Sequence, residues 1–291
     1  MMRIFSPMTY KAVAYCVVNA DYIDPCIVAL SSFFRFNYLK TIVYYQTGTN
    51  LKRLHAALDD YPVEYRECEF PALPEHDNLG DKYFEMFVSR ESLPAYAMRL
   101  QALSELAQEY DVVVNFDLDT LFFNTVMPLV DRCRAEYIYG VSERRNRDRW
   151  VKSLDVLDIA PYHSYINTGF CVYGSKAVNT VPCIMDDYRG FLRANAKHVY
   201  CPEQDYLNVR YADVIREIPE HYNLMFTSPN YANLSPVMVH YLGSDKPWSR
   251  YRGADRYVAL YYKRYLAECR RCSQYLSADF MEKISQRVHF L

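Results

Sequence analysis

The chain lacks a surplus of charge of either sign. Its 33 Lys and Arg stand against 35 Asp and Glu in 291 residues, a net of -2. A general nucleic-acid binder needs a basic footprint, so that class is set aside. Long hydrophobic runs are missing too: no stretch approaches the roughly 20 residues that cross a bilayer. The first apolar run, Ala12 to Val18, meets Asn19 and Asp21 at once and has no small-residue cleavage site behind it. It reads as a strand and not as a signal peptide. A disulfide framework is also absent. The nine cysteines are odd in number and scattered, and most read as small core residues. Cys269 and Cys272 form a lone CxxC with no second pair, which reads as a helical surface pair and not as zinc or redox chemistry. There is no internal repeat and no low-complexity segment. A reducing, cytoplasmic setting fits these absences.

What is present is an ordinary globular balance, 51% hydrophobic and 23% charged, with enough apolar material for a sizeable core. Aromatic residues reach 16%, mostly from 29 tyrosines. A buried tyrosine needs a partner for its hydroxyl, so many of these are expected at surfaces, clefts or interfaces.

Strands and helices alternate along the first half. Ala12 to Val18, Thr41 to Gln46, Val63 to Cys68 and Val112 to Phe116 read as strands, the first and last as buried apolar runs. Residues 24 to 36, 51 to 58 and 95 to 109 carry helical spacing, the last with Leu100, Leu103 and Leu106 on one face. Such alternation implies a parallel sheet flanked by helices, with ligands at the carboxyl ends of the strands. Asn19 with Asp21, and Asp117 with Asp119, occupy two such ends and are expected to face one cleft. Further on, 137 to 141, 165 to 173 and 237 to 241 read as strands, 178 to 195 and 203 to 211 as helices, and 144 to 149 as a charged loop. From Lys246 onward ten Lys and Arg meet four Asp and Glu among many tyrosines. That gives a core domain over 1–248 and a basic, helical segment over 249–291.

Two segments carry chemistry. Asp117 and Asp119 are two apart at a strand end, where alternate residues point the same way. Paired hard oxygens suit Mn²⁺ or Mg²⁺. The same Asp117-Leu118-Asp119-Thr120 also fits the nucleophile motif of haloacid-dehalogenase-like phosphatases, in which the first Asp attacks a phosphoryl group. Against that, the motif follows three earlier strands, and Asp186-Asp187 is a weak candidate for the acidic metal-binding pair. A non-catalytic sugar-nucleotide-binding module is a third reading. Far downstream, His240 to Trp248 reads H-x-x-G-x-x-K-P-W. His240 offers an imidazole to a metal, Gly243 lets backbone approach a phosphate, and Lys246 offers a cation. A phosphatase has no use for that segment.

With these motifs in order, the chain resembles glycosyltransferase family 8, which includes glycogenin and bacterial lipooligosaccharide galactosyltransferases. The likeness also uses Val18-Asn19-Ala20-Asp21-Tyr22, Tyr165-Ile166-Asn167-Thr168-Gly169-Phe170, Glu203-Gln204-Asp205-Tyr206-Leu207-Asn208 and Pro219-Glu220-His221-Tyr222-Asn223. The resemblance implies a GT-A fold, an α/β Rossmann-like nucleotide-sugar-binding architecture. It implies a UDP-sugar donor, Mn²⁺ with Mg²⁺ as a substitute, and retention of anomeric configuration. Asp117, Asp119 and His240 would hold the metal. Asn19 and Tyr22 would contact uracil or ribose, Asn167 and Gly169 would line the sugar pocket, and Gly243 and Lys246 would bind diphosphate. Gln204 and Asp205 would sit at the reacting face. Arg99 would lie against phosphate or sugar, and Glu143 is a candidate to hydrogen-bond the sugar. Glu203 departs from the family's Asp by one methylene. The expected acceptor is a glycan or a lipid-linked glycan, as in bacterial lipopolysaccharide or polysaccharide synthesis. The basic 249–291 segment would either rest on the inner face of a membrane or pack on the domain with its basic face solvated.

Overall fold

The computed structural model describes residues 11–79, 92–143, 164–199, 201–225, 234–243, 246–249 and 256–288. Ten strands are described: β1 Ala12–Val18, β2 Thr41–Gln46, β3 Val63–Cys68, β4 Val112–Phe116, β5 Thr120–Phe122, β6 Ile138–Ser142, β7 Ile166–Gly174, β8 Ile215–Glu217, β9 Leu224–Met225 and β10 Met238–His240. The helices are α1 Ile23–Phe34, α2 Lys52–Leu58, α3 Leu93–Glu109, α4 Met127–Val130, α5 Ser175–Val178, α6 Ile184–Asn195, α7 Pro202–Arg210, α8 Arg256–Arg271 and α9 Ala278–Val288. Seven strands form one sheet in the order β3-β2-β1-β4-β7-β6-β8, and β5-β10-β9 form a second. In the large sheet, β3, β2, β1 and β4 run parallel, β7 is antiparallel to β4 and β6, and β8 is parallel to β6. The expected α/β architecture with a mostly parallel sheet is therefore the observed one.

Alternation along the strands divides the core. Ala14, Cys16, Val18, Val112, Val114 and Phe116 face α1, α2, α8 and α9. Val13, Tyr15, Val113, Cys171 and Tyr173 face α3, α6 and α7. The strands read as near-continuous apolar runs because both faces are covered. All nine residues of β7 are buried, including Asn167 and Thr168.

Several expectations change. The single helix expected over 178 to 195 is two, α5 and α6, with Val181-Pro182-Cys183 between them, because proline cannot continue a helix and restricts the residue before it. The three-residue strands β5 and β8 were not legible, being too short to show a period of two. Cys269 and Cys272 are buried, not a surface pair, and burial pushes the Cys272 thiol up to about 12, which leaves it a protonated, inert core residue. Many tyrosines fill the core instead of clefts: Tyr15, Tyr44, Tyr165, Tyr173, Tyr188, Tyr206, Tyr211, Tyr241, Tyr262 and Tyr265 are almost wholly buried. Several of their hydroxyls are met inside, as in Tyr15 to the Arg99 carbonyl at 3.0 Å and Tyr241 to the Tyr261 carbonyl at 2.9 Å. The charged loop 144 to 149 lies outside the described residues.

The C-terminal helices share the core of the sheet. Tyr262, Tyr265, Leu266, Cys269, Phe280 and Ile284 belong to the same cluster as Phe33, Phe116 and Val239. Asp24, on the first turn of α1, accepts from the Ser277 backbone at 2.9 Å and hydroxyl at 2.7 Å and pairs with Arg53. The Ser277 hydroxyl in turn accepts from the Phe280 amide at 3.2 Å, capping the start of α9.

Candidate active site

The carboxyl ends of β1 and β4 are neighbours, since the two strands are parallel with Tyr15 opposite Asn115. β1 leads into a 3-10 turn at Ala20–Tyr22, which presents Asn19 and Tyr22. β4 leads into Asp117-Leu118-Asp119, a turn closed by the Thr120 hydroxyl donating to the Asp117 carbonyl at 2.7 Å. Aromatic packing clamps the turn on both sides. Phe116 and Phe122 lie 5.1 Å apart, and both pack on Phe33 of α1, at 5.0 and 5.1 Å. Each such pair adds about 1 kcal/mol beyond its buried area.

The distant histidine is delivered by strand pairing. β10 runs antiparallel to β5 with His240 opposite Thr120, and the Tyr241 amide donates to the Asp119 carbonyl at 2.9 Å. The His240 Nε2 then lies 3.2 Å from Asp119 Oδ1 and 3.5 Å from Asp117 Oδ2. One ligand atom from each of Asp117, Asp119 and His240 lies within 4.8 Å of the others. Two hard oxygens and one imidazole nitrogen are a fitting donor set for Mn²⁺ or Mg²⁺.

Two cations brace the carboxylates. Lys246 pairs with Asp119 Oδ2 and donates to the Tyr241 carbonyl at 2.8 Å. Burial alone would raise the Asp119 pKa, but Lys246 and His240 overcome it and hold the carboxyl well below the usual range. Arg99 is 7% exposed. It meets Asp117 Oδ1 at 2.8 Å, Glu203 Oε2 at 3.2 Å and the Thr168 carbonyl at 2.6 Å. Burial pushes Glu203 up to about 7; Arg99 opposes this, and Asp117 adds to it. The burial cost wins because the guanidinium is shared between two acids.

The remaining expected residues form a network behind the cleft. The register between β6 and β7 slips between Gly140 and Val141, leaving Thr168, Gly169 and Phe170 without β6 partners. The Asn115 amide then reaches the Thr168 carbonyl at 2.9 Å. Asn167 contacts Glu143 and Gln204, each at 3.2 Å, and accepts from Asn223 at 2.9 Å. The Gln204 amide accepts from the Thr168 backbone at 3.0 Å and donates to Glu143 at 2.8 Å and to the Tyr165 hydroxyl at 3.0 Å. Asp205 accepts from the Tyr165 hydroxyl at 2.5 Å and the Cys201 amide at 3.0 Å. Asn19 keeps a buried side-chain oxygen with no protein partner. Tyr22 lies edge-on to Trp248 at 6.3 Å, and burial, then Asp119 and Asp117, raises its hydroxyl pKa. Gly243 takes a φ of 70°, where a side chain would be strained. Asn115 and Tyr165 went unrecognised; a lone polar residue inside Val112-Val113-Val114-Asn115-Phe116 is the signal for the first.

This strand order, with a carboxylate pair at a strand exit and a histidine from a second small sheet, is the architecture that the resemblance to GT-A glycosyltransferases implied. Residues 13–252 match the family described as Glycosyl transferase family 8, and the chain belongs to that family. Galactinol synthase 5 of Arabidopsis thaliana is 27% identical over 166 residues, which are 48% of this chain and 47% of the relative. The chain thus aligns with about half the length of that curated relative. Among solved structures, the galactosyltransferase LgtC in complex with donor and acceptor sugar analogues superposes with a TM-score of 0.71 at 16% identity, covering 94% of this chain and 99% of that one. The glycosyltransferase GlyE of Streptococcus pneumoniae gives 0.60 at 16% identity, covering 96% and 64%. These structural likenesses establish the fold. The family assignment sets the phosphatase reading aside, and the geometry agrees: Asp187 pairs with Arg210 at 3.0 Å and accepts from Tyr206 at 2.9 Å. Among the described residues, no helix is long and apolar enough to cross a membrane.

Gly169 has a role that sequence spacing did not reveal. A Cβ built on it would collide with the His240 ring at Cε1 and Nδ1. Gly169→Ala is expected to displace the imidazole and weaken Mn²⁺ binding about tenfold or more, with secondary structure intact; titration by electron paramagnetic resonance and circular dichroism checks both. Glu203 generates a pH prediction. Its folded pKa of about 7 exceeds its ordinary 4.5, so the folded protein holds the proton more tightly. Stability contributed by this group is therefore greatest at low pH and falls as pH rises from 4.5 through about 7. Glu203→Gln is expected to flatten that slope in urea unfolding measured across the window.

Proposed function

We propose that this protein is a retaining glycosyltransferase that moves a hexose from a UDP-sugar to a glycan or lipid-linked glycan acceptor, with Mn²⁺ in the site. The observation that carries the reading is the Asp117, Asp119 and His240 cluster at the strand exits, in a member of this family. Galactose is favoured over glucose, because the names of LgtC and of the plant relative both point to galactose chemistry. Asp117, Asp119 and His240 would hold the metal, which supplies positive charge to the diphosphate as the sugar bond breaks. Asn19, with its unpartnered oxygen, and Tyr22 would take the uridine. Gly243 and Lys246 would receive the diphosphate. Asn167, whose amide is held by Glu143 and Gln204, would shape the sugar pocket as part of that network.

Gln204 and Asp205 are proposed to position, and not to attack. Asp205 is held through both oxygens, by Tyr165 and Cys201, and the Gln204 amide is committed to Thr168, Glu143 and Tyr165. A double displacement would need a carboxylate free beneath the anomeric carbon. Attack by the acceptor oxygen on the face the diphosphate leaves, with that diphosphate taking the acceptor proton, is the mechanism these contacts favour. Arg99 would orient Asp117 from behind instead of touching phosphate.

The C-terminal segment supports a membrane-bound acceptor of the kind used in bacterial surface-glycan synthesis. On α8 the exposed residues are Leu260, Lys263, Arg264, Ala267, Arg270 and Arg271. The helix's one acid, Glu268, turns inward to Arg35. Such a face suits anionic lipid on the cytoplasmic leaflet.

The decisive measurement is UDP release from UDP-galactose and UDP-glucose, with Mn²⁺ and with chelator. Turnover is expected only with the metal and is expected to fall to background in His240→Ala. UDP binding without turnover on any acceptor would mean a binding module, and near-normal activity of His240→Ala would mean the metal site is misassigned. Reversing Arg264, Arg270 and Arg271 to Glu is expected to abolish salt-sensitive binding to phosphatidylserine vesicles while leaving UDP release unchanged. Equal binding of the variant would refute the lipid contact.

A further inference from the structure

Lys246 stands where its charge has two incompatible uses. Its ammonium pairs with Asp119 Oδ2 and donates to the Tyr241 carbonyl. Asp119 Oδ1 faces His240 Nε2 at 3.2 Å. Both Asp119 oxygens are thus engaged by the chain's own groups, and a divalent ion that uses this carboxylate must contend with the lysine. On Asp117 the corresponding cation is Arg99.

The two cations differ in how readily they leave. Arg99 is wholly enclosed and holds Asp117, Glu203 and the Thr168 carbonyl together. Moving it would strand the buried Glu203 and leave the part-exposed Asp117 without its cation. The Lys246 side chain is 16% exposed, and a lysine carries its charge on a flexible four-carbon stem. Its backbone end is fixed. The Lys246 amide donates to the Ser249 hydroxyl at 2.8 Å, and the Ser249 amide returns to the Lys246 carbonyl at 3.0 Å. Trp248, two residues on, is wedged against Tyr265 and Phe280 at 5.6 and 5.7 Å. The geometry is a backbone held in place, carrying its charge on a flexible stem.

We propose that Lys246 is an exchangeable counter-ion that makes metal and diphosphate binding interdependent: it occupies Asp119 until a diphosphate offers it a better partner. A metal arriving alone displaces an ammonium that, among the described residues, keeps the Tyr241 carbonyl as its remaining acceptor. A metal arriving with a diphosphate gives that ammonium an anion. Each ligand therefore raises the affinity of the other, by linkage to the same factor. The outcome is a site that discriminates against loose cations and closes its electrostatics only around a complete nucleotide diphosphate. The inference rests on the metal and diphosphate roles proposed above.

The test is Mn²⁺ binding by the full chain without nucleotide, read as loss of the free-ion signal in electron paramagnetic resonance, then repeated with UDP. Lys246→Met, which keeps the stem and deletes the charge, is expected to bind Mn²⁺ alone on the order of tenfold more tightly than the parent, and to lose most of the gain that UDP produces. Lys246→Gln is expected to shift in the same direction and serves if the first variant does not fold. Asp119→Ala separates the two levels of the argument. If it binds Mn²⁺ as the parent does, the metal site itself is wrong. If it loses Mn²⁺ while both Lys246 variants bind the ion alone no more tightly than the parent, the exchange is refuted and the metal site stands.

Discussion

Two carboxylates held side by side in a nearly closed pocket repel each other and resist leaving water, and much of this structure is organised to make that arrangement tolerable. Asp119 is almost buried, and an unpaired charge in such a place is costly. The chain answers with one cation per acid: Arg99 from α3 behind Asp117, and Lys246 from the tail beside Asp119. His240 then faces both carboxylates, at 3.2 Å from Asp119 and 3.5 Å from Asp117. Remove either brace and the turn after β4 would have to open to solvent. The aromatic clamp of Phe33, Phe116 and Phe122 holds the backbone of that turn, so the cations only have to manage charge.

The same constraint explains why distant parts of the sequence converge. His240 cannot reach Asp117 and Asp119 unless β10 pairs with β5, and β5 exists because the chain turns back directly after Asp119. The residue that makes room for the ring is Gly169, on β7, whose carbonyl also takes the Asp117 amide at 2.9 Å. Four chain segments thus share one small volume, and each is fixed by backbone pairing and not by a side chain alone. A site assembled in this way is stiff. Among the described residues, Lys246 is a long, partly exposed charged arm in this site.

Much of the sheet was readable because its physics is local. β1 and β4 are apolar runs buried on both faces, and their boundaries follow from where polar residues begin. Asp117, Asp119 and His240 were legible as types in a pattern, and the structure brings them together. What the sequence hid was nonlocal. Whether Arg99 faces a ligand or an internal acid depends on where α7 places Glu203, and no spacing rule states that. The tyrosines were misplaced for a similar reason. Burying a hydroxyl is costly unless it finds an acceptor, and several of the acceptors are backbone carbonyls from elements far away in the chain, such as Arg99 for Tyr15 and Val178 for Tyr211. Short strands such as β5 exist because a neighbour demands them, so their own three residues carry little signal.

The tail changes meaning once its packing is known. A basic, tyrosine-rich end reads from sequence as an appendage, yet on α8 Tyr261, Tyr262 and Tyr265 face inward while Lys263, Arg264, Arg270 and Arg271 face out. Trp248 is the joint. It closes the His240 to Trp248 segment, meets Tyr22 edge-on on one side, and packs on Tyr265 and Phe280 of α8 and α9 on the other. Asp24, two residues beyond Tyr22, ties the start of α9 to α1. The surface that carries Arg264, Arg270 and Arg271 is therefore one rigid layer away from the residues at the strand exits. Cutting the tail off would remove part of the core as well as any docking face, so the two roles separate only under surface charge changes. It follows that the orientation of the cleft relative to whatever α8 rests on is set by packing that the site itself depends on.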